Sequence, residues 1–181
     1  MNWLGDRYAN GDLAAVDLDL AFNWYLRAAE RGDRDAMFNL FCCYDLGNGT
    51  RADQQLALTL LRRAVDANHE QALCTLGRFY LDGVRVPHSA SKGTELLEAA
   101  RTLHGSVPAA AELSRRLQQG LGVPRDERRA RELKRWMRSR RSRMNRWLLL
   151  GLTAGAGLIA IVLLARAVFV LGRLWNGPYA V

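Results

Sequence analysis

The 181 residues include only three cysteines, four prolines and three histidines. Cys42 and Cys43 are adjacent and Cys74 stands alone, with no C-x-x-C and no histidine at ligand spacing, so neither a disulfide framework nor a zinc site is indicated. They read as small core residues in a reducing compartment. Low proline with 49% hydrophobic residues excludes a disordered chain and leaves enough apolar material for a core. No H-E-x-x-H, G-x-S-x-G, P-loop or G-x-G-x-x-G occurs. His69, His88 and His104 fall near turns without a catalytic neighbourhood, His69 after Asn68 and His104 before Gly105 in almost equivalent positions. The expectation is a protein that is not an enzyme and carries no cofactor or metal. The N-terminal MNWLGDRYANGD holds Asp6 and Asp12 and no apolar stretch, unlike a secretory signal.

Lysine is nearly missing too: 24 of the 26 basic residues are arginine, a weak sign of a GC-rich bacterial genome. The formal charge of +8 suggests nucleic acid until its location is mapped. Residues 1–124 carry 13 bases against 15 acids, residues 125–146 carry 11 against 3, and residues 147–181 carry 2 against none. The body is close to neutral, and the basicity is one block placed directly before an apolar run.

That run, Trp147 to Ala165, has 19 residues without a charge, and AVFVLG extends it after Arg166. About 20 such residues cross a hydrocarbon core, so a single transmembrane helix over 147–172 is expected, with Trp147, Trp175 and Tyr179 as interfacial anchors. Eleven bases on one flank against Arg173 on the other place the N-terminal domain in the cytoplasm and residues 173–181 outside. Within the run Gly151, Gly155, Val162, Arg166 and Arg173 share a stripe, a surface suited to docking on another membrane helix; snorkelling of Arg166 to the interface is the alternative. The juxtamembrane segment 138–146, with Arg135 before it, offers Arg135, Arg138, Arg140, Arg141, Arg143 and Arg146 to anionic lipid head groups. Arginines fused to a span lie where phosphates already are, so nucleic acid is not expected as a partner.

The rest of the chain repeats. Leu4, Leu40, Leu76 and Leu113 recur at spacings of 36, 36 and 37. Tyr8, Tyr44, Tyr80 and Leu117 keep the same step, as do Gly11, Gly47, Gly83 and Gly120. Ala21, Ala57, Gly93 and Ala130 form another register, followed by Trp24, Leu60, Leu96 and Leu133, then Ala28, Ala64, Ala100 and Met137. Within a block, Ala36, Leu40, Cys43 and Tyr44 form a helical stripe that glycine stops, and Leu56, Leu60, Ala64 and Ala67 predict the buried face of a second helix. Such hairpins bury their apolar faces only by stacking, which predicts an all-α fold: an α/α solenoid of about four helical hairpins over residues 1–137.

LGDRYANGD, LGRFYLDGVRVP and AFNWYLRAAERGD resemble the Sel1-like repeats, relatives of the tetratricopeptide repeats, with the pattern A-x-x-x-L-G-x-x-Y-x-x-G, a loop, then A-x-x-W-x-x-x-A-A-x-x-G. Blocks one and three match well. Block two has Phe41 at the glycine, block four has Ser114 there and Leu117 at the tyrosine, and the first helix of block one is expected to be short. The resemblance implies a binding module that holds proteins on a concave face. By analogy that face comprises Trp3, Asp6, Asn39, Cys42, Thr75, Arg78, Glu112 and Arg115. The expected protein is a membrane adaptor or an accessory subunit of a membrane complex, at a bacterial inner membrane, whose partners include an integral-membrane protein. An immunity-type inhibitor masking one partner near the membrane stays open.

Overall fold

The computed structural model describes residues 1–11, 15–140 and 142. They fall into two units, the first Met1–Lys134 and the second beginning at Arg135. The first is built from α1 (Asn2–Asn10), α2 (Leu18–Ala29), α3 (Arg34–Leu46), α4 (Gln54–Asp66), α5 (Glu70–Asp82), α6 (Ala90–His104) and α7 (Val107–Gln119), and residues 127–134 open α8. No strand occurs among the described residues. Each helix packs chiefly on the next in sequence, as the solenoid expectation requires.

The repeat is written into the main chain. Every first helix ends in a left-handed glycine: Gly11, Gly47, Gly83 and Gly120 have φ of 75, 75, 65 and 70°. Each glycine N–H returns to the carbonyl four residues back, the cap that a residue without Cβ makes at least cost. The loop then closes on the residue that starts the second helix. Asp17, Asp53, Ser89 and Asp126 donate their N–H to the carbonyls of Tyr8, Tyr44, Tyr80 and Leu117, at 3.0, 2.8, 2.8 and 2.9 Å. Their side chains cap the helix that follows, accepting from Leu20, Leu56, Lys92 and Arg129 amides. Because the bond at the tyrosine position is made by its carbonyl, Leu117 keeps it. Between blocks, Asp33, His69 and Ser106 donate to the carbonyls of Ala28, Ala64 and Ala100 and cap α3, α5 and α7.

The departure at Ser114 has a physical account. In the third block α5 and α6 meet at Gly77 and Gly93, where a Cβ on Gly77 would lie 3.2 Å from the Gly93 carbonyl oxygen. In the fourth, Ser114 is fully buried and its hydroxyl donates to the Ala130 carbonyl at 3.0 Å, so the larger residue is tied to the facing helix. Phe41 instead turns edge-on to Phe79 of α5, with ring centroids 6.4 Å apart.

The buried face of α4 is rotated from the sequence expectation: Ala57, Leu60, Leu61 and Ala64 are buried, while Leu56 is 38% exposed. Leu56 lies in the first turn, where its amide is taken by the Asp53 cap and its side chain stays partly in solvent. Helix α1 has 9 residues against 13 in α3, α5 and α7, so it is the short one.

In the second unit, residues 135–140 and 142 are helical, and the Arg140 guanidinium lies 5.5 Å from the Trp136 ring centroid. No helix among the described residues is long and apolar enough to cross a membrane. The expected span 147–172, its stripe from Gly151 to Arg173, and Arg141, Arg143 and Arg146 lie outside the described residues.

Candidate functional site

The first helices place the expected binding residues at equivalent steps, Trp3, Asn39, Thr75 and Glu112 in one row and Asp6, Cys42, Arg78 and Arg115 in the next. The structure divides them into two neighbourhoods. Thr75, Arg78 and Glu112 line a cleft of about 480 Å³ formed by α3, α5, α6 and α7, with Phe38, Cys74 and Pro108 as its accessible apolar residues and the fully buried Leu97 and Ala109 behind them. A second cleft of about 360 Å³ shares Arg78 and Glu112 with it and adds Asp82, Arg115 and Arg116.

The other neighbourhood is internally satisfied. Asn39 donates to Asn2 at 3.0 Å and to Asp6 at 3.1 Å, and the Tyr25 hydroxyl donates to the same Asp6 oxygen at 3.0 Å. Burial, then the Asp6 contact, pushes the Tyr25 phenol upward. Cys42 and Cys43 sit beside this cluster; burial raises both thiols, Cys43 to about 11, so neither is a ready thiolate nucleophile. Trp3 is 58% exposed and stands apart as an apolar surface residue.

Charge at the main cleft is set by a network that sequence spacing did not reveal. Arg116, 4% exposed, makes a two-pronged bond to Asp82 of α5 at 2.7 and 3.0 Å and reaches Glu112 at 2.6 Å. Glu112 also accepts from Arg115 at 2.8 Å. The Arg116 contact holds the Asp82 carboxyl below the usual range, and Glu112 is held down against its own burial by Arg115 and Arg116. The clue was available only in part: Glu112 and Arg116 are one helical turn apart, but Asp82 lies 34 residues away.

His69 is not equivalent to His104. It is buried, its Nδ1 accepts the Ala72 N–H at 3.2 Å, its Nε2 lies 3.4 Å from Asp35, and its ring stacks on Phe38 at 4.7 Å. The true counterparts of His69 are Asp33 and Ser106, whereas His104 ends α6. Burial lowers the His69 pKa. No group of histidine, cysteine and carboxylate among the described residues could hold a metal ion.

A Sel1 repeat profile matches residues 1–33, 34–69, 71–103 and 107–133, four segments that track the four hairpins. A Sel1 repeat protein from Oxalobacter formigenes is similar in structure, with a TM-score of 0.71 at 27% identity over 76% of this chain and 56% of that one. So is c5321, a protective antigen of uropathogenic Escherichia coli strains displaying an SLR fold, with a TM-score of 0.67 at 28% identity over 76% of this chain. The chain thus spans little more than half of the first relative and 29% of the second.

Proposed function

Since the chain belongs to the Sel1 repeat family, whose repeats mediate protein–protein interaction, we propose that it is a membrane-anchored adaptor or an accessory subunit of a membrane complex. It acts by binding and not by catalysis. The observation that carries this reading is the pair of adjoining clefts along α5 and α7, where Thr75, Arg78, Glu112 and Arg115 come together. Such concave sites with an apolar wall and a few placed polar groups suit capture of partner side chains.

The anchor rests on the uncharged run from Trp147 to Ala165 and the arginine block before it. In this reading Arg135, Arg138 and Arg140 meet anionic head groups at about 1 kcal/mol each. Gly151, Gly155 and Arg166 face an integral-membrane partner at a bacterial inner membrane, with residues 1–134 on the cytoplasmic side.

The test is purification of the tagged chain at native expression in nanodiscs, with mass spectrometry of what accompanies it. Stoichiometric partners should be retained when the 147–172 run is exchanged for an unrelated span if the clefts recruit them, and lost if the span does. Recovery of the same proteins by the span alone, or of none above an untagged control, defeats the adaptor reading.

A further inference from the structure

The larger cleft is electrically lopsided. Glu70 and Arg78 both line it from α5, and neither makes a hydrogen bond or salt bridge to a described residue. The charges around them are spoken for, Glu112 by Arg115 and Arg116 and Asp82 by Arg116, although the field of Arg78 adds to what holds Asp82 down. Eight residues of helix separate Glu70 from Arg78, about 12 Å at a rise of 1.5 Å per residue. Cys74 stands midway between them on the same helix, and Phe38 and Pro108 line the same cleft with it. The cleft is negative at one end, apolar in the middle and positive at the other.

An extended segment has a matching period. Its side chains at i, i+2 and i+4 project to one side and span about 13 Å at 3.3 Å per residue. Resting on the adaptor reading and deepening it, we propose that this cleft takes an extended segment of a partner protein with the pattern basic–x–apolar–x–acidic, in either chain direction. The basic residue meets Glu70, the acidic one meets Arg78, and the apolar one sits on Phe38 and Cys74.

The experiment is selection of a random dodecapeptide phage library on the full chain in nanodiscs, with empty nanodiscs as counter-selection. Peptides carrying opposite charges four positions apart around an apolar residue should be enriched at least tenfold. Arg78→Glu should shift the selected pattern to a base at both ends, Glu70→Arg to an acid at both ends, and the double exchange should restore mixed ends. These gains cannot come from a misfolded variant. A pattern that Arg78→Glu leaves unchanged, charges seven or eight positions apart as on a bound helix, or no enriched pattern overturns the proposal. Partners recovered by co-purification without a dipolar peptide pattern would leave the adaptor reading standing and remove only this assignment.

Discussion

Replacing Gly93 by alanine restores the residue found at Ala21, Ala57 and Ala130 in the other blocks, and it should nevertheless destabilise the protein. An interior glycine changed to alanine gains about 1 kcal/mol of helix propensity. Against this, a Cβ on Gly93 would stand 2.6 Å from Leu81 Cδ2 and 2.8 Å from the Gly77 carbonyl oxygen. The carbonyl belongs to a helix and Leu81 is fully buried, so neither gives way cheaply. Overpacking of this kind costs roughly 1–3 kcal/mol, and with both obstacles rigid we take the upper half, leaving a net loss of about 1–2 kcal/mol. At a urea slope near 2 kcal/mol/M the midpoint, followed by far-ultraviolet circular dichroism, should fall by about 0.5–1 M. Leu81→Ala alone should cost about 2–5 kcal/mol. Leu81→Ala with Gly93→Ala should cost less than the two together, because the second methyl then enters vacated space. A Gly93→Ala protein as stable as the parent, or a strictly additive double variant, refutes the reasoning that Leu81 fits because Gly93 lacks a side chain.

The neutral His69 ring accepts the Ala72 N–H, and its pKa lies below that of the unfolded chain, so its contribution is complete above about pH 6.5 and is lost as pH falls from there through the lower folded value. Urea midpoints at pH 7.5 and 5.5 should therefore converge in His69→Ser, which keeps a cap like Ser106, relative to the parent. Arg116→Met should cost about 1–2 kcal/mol in the same assay, less than the 3–5 of a fully buried pair, because the Asp82 side chain is 46% exposed and Glu112 keeps Arg115. Arg85 has φ of 65° where Gly49 and Gly122 stand in neighbouring loops, and it is held by Asp45 and by the Phe79 ring at 5.1 Å. Arg85→Gly should thus change stability by less than about 1 kcal/mol, strain relief offsetting lost contacts, whereas Arg85→Ala should cost about 1–2.

The four-block register was legible because its signals are local. The left-handed glycines and the small residues at Ala28, Ala64 and Ala100 mark turns and close approaches wherever they occur. The caps Asp17, Asp53, Ser89 and Asp126 were equally visible, recurring with the glycines, and Asp33, His69 and Ser106 marked the other turn. Reading His69 with His104 missed this, since an imidazole is an uncommon cap and its role shows only when the acceptor nitrogen faces the Ala72 amide. The face of α4 was misjudged by one position because Leu56 satisfies helical periodicity from the first turn, where it stays partly exposed. What no local pattern could supply was pairing across blocks: Arg116 with Asp82, Arg85 with Asp45, and the division of the first-helix row into a self-satisfied group around Asp6 and an unsatisfied one around Glu70 and Arg78.

The bonds from Asp17, Asp53, Ser89 and Asp126 back to the preceding helix, and from Asp33, His69 and Ser106 across the next turn, join main-chain atoms at matching steps. Unequal crossing-over between equivalent points of two blocks would rebuild the same bond at the junction, whatever side chains the parental blocks carried. An array held this way can lengthen or shorten by whole hairpins in one genetic event, while each surviving block drifts in its exposed residues. The length of the array and the chemistry of its binding face are then free to evolve separately.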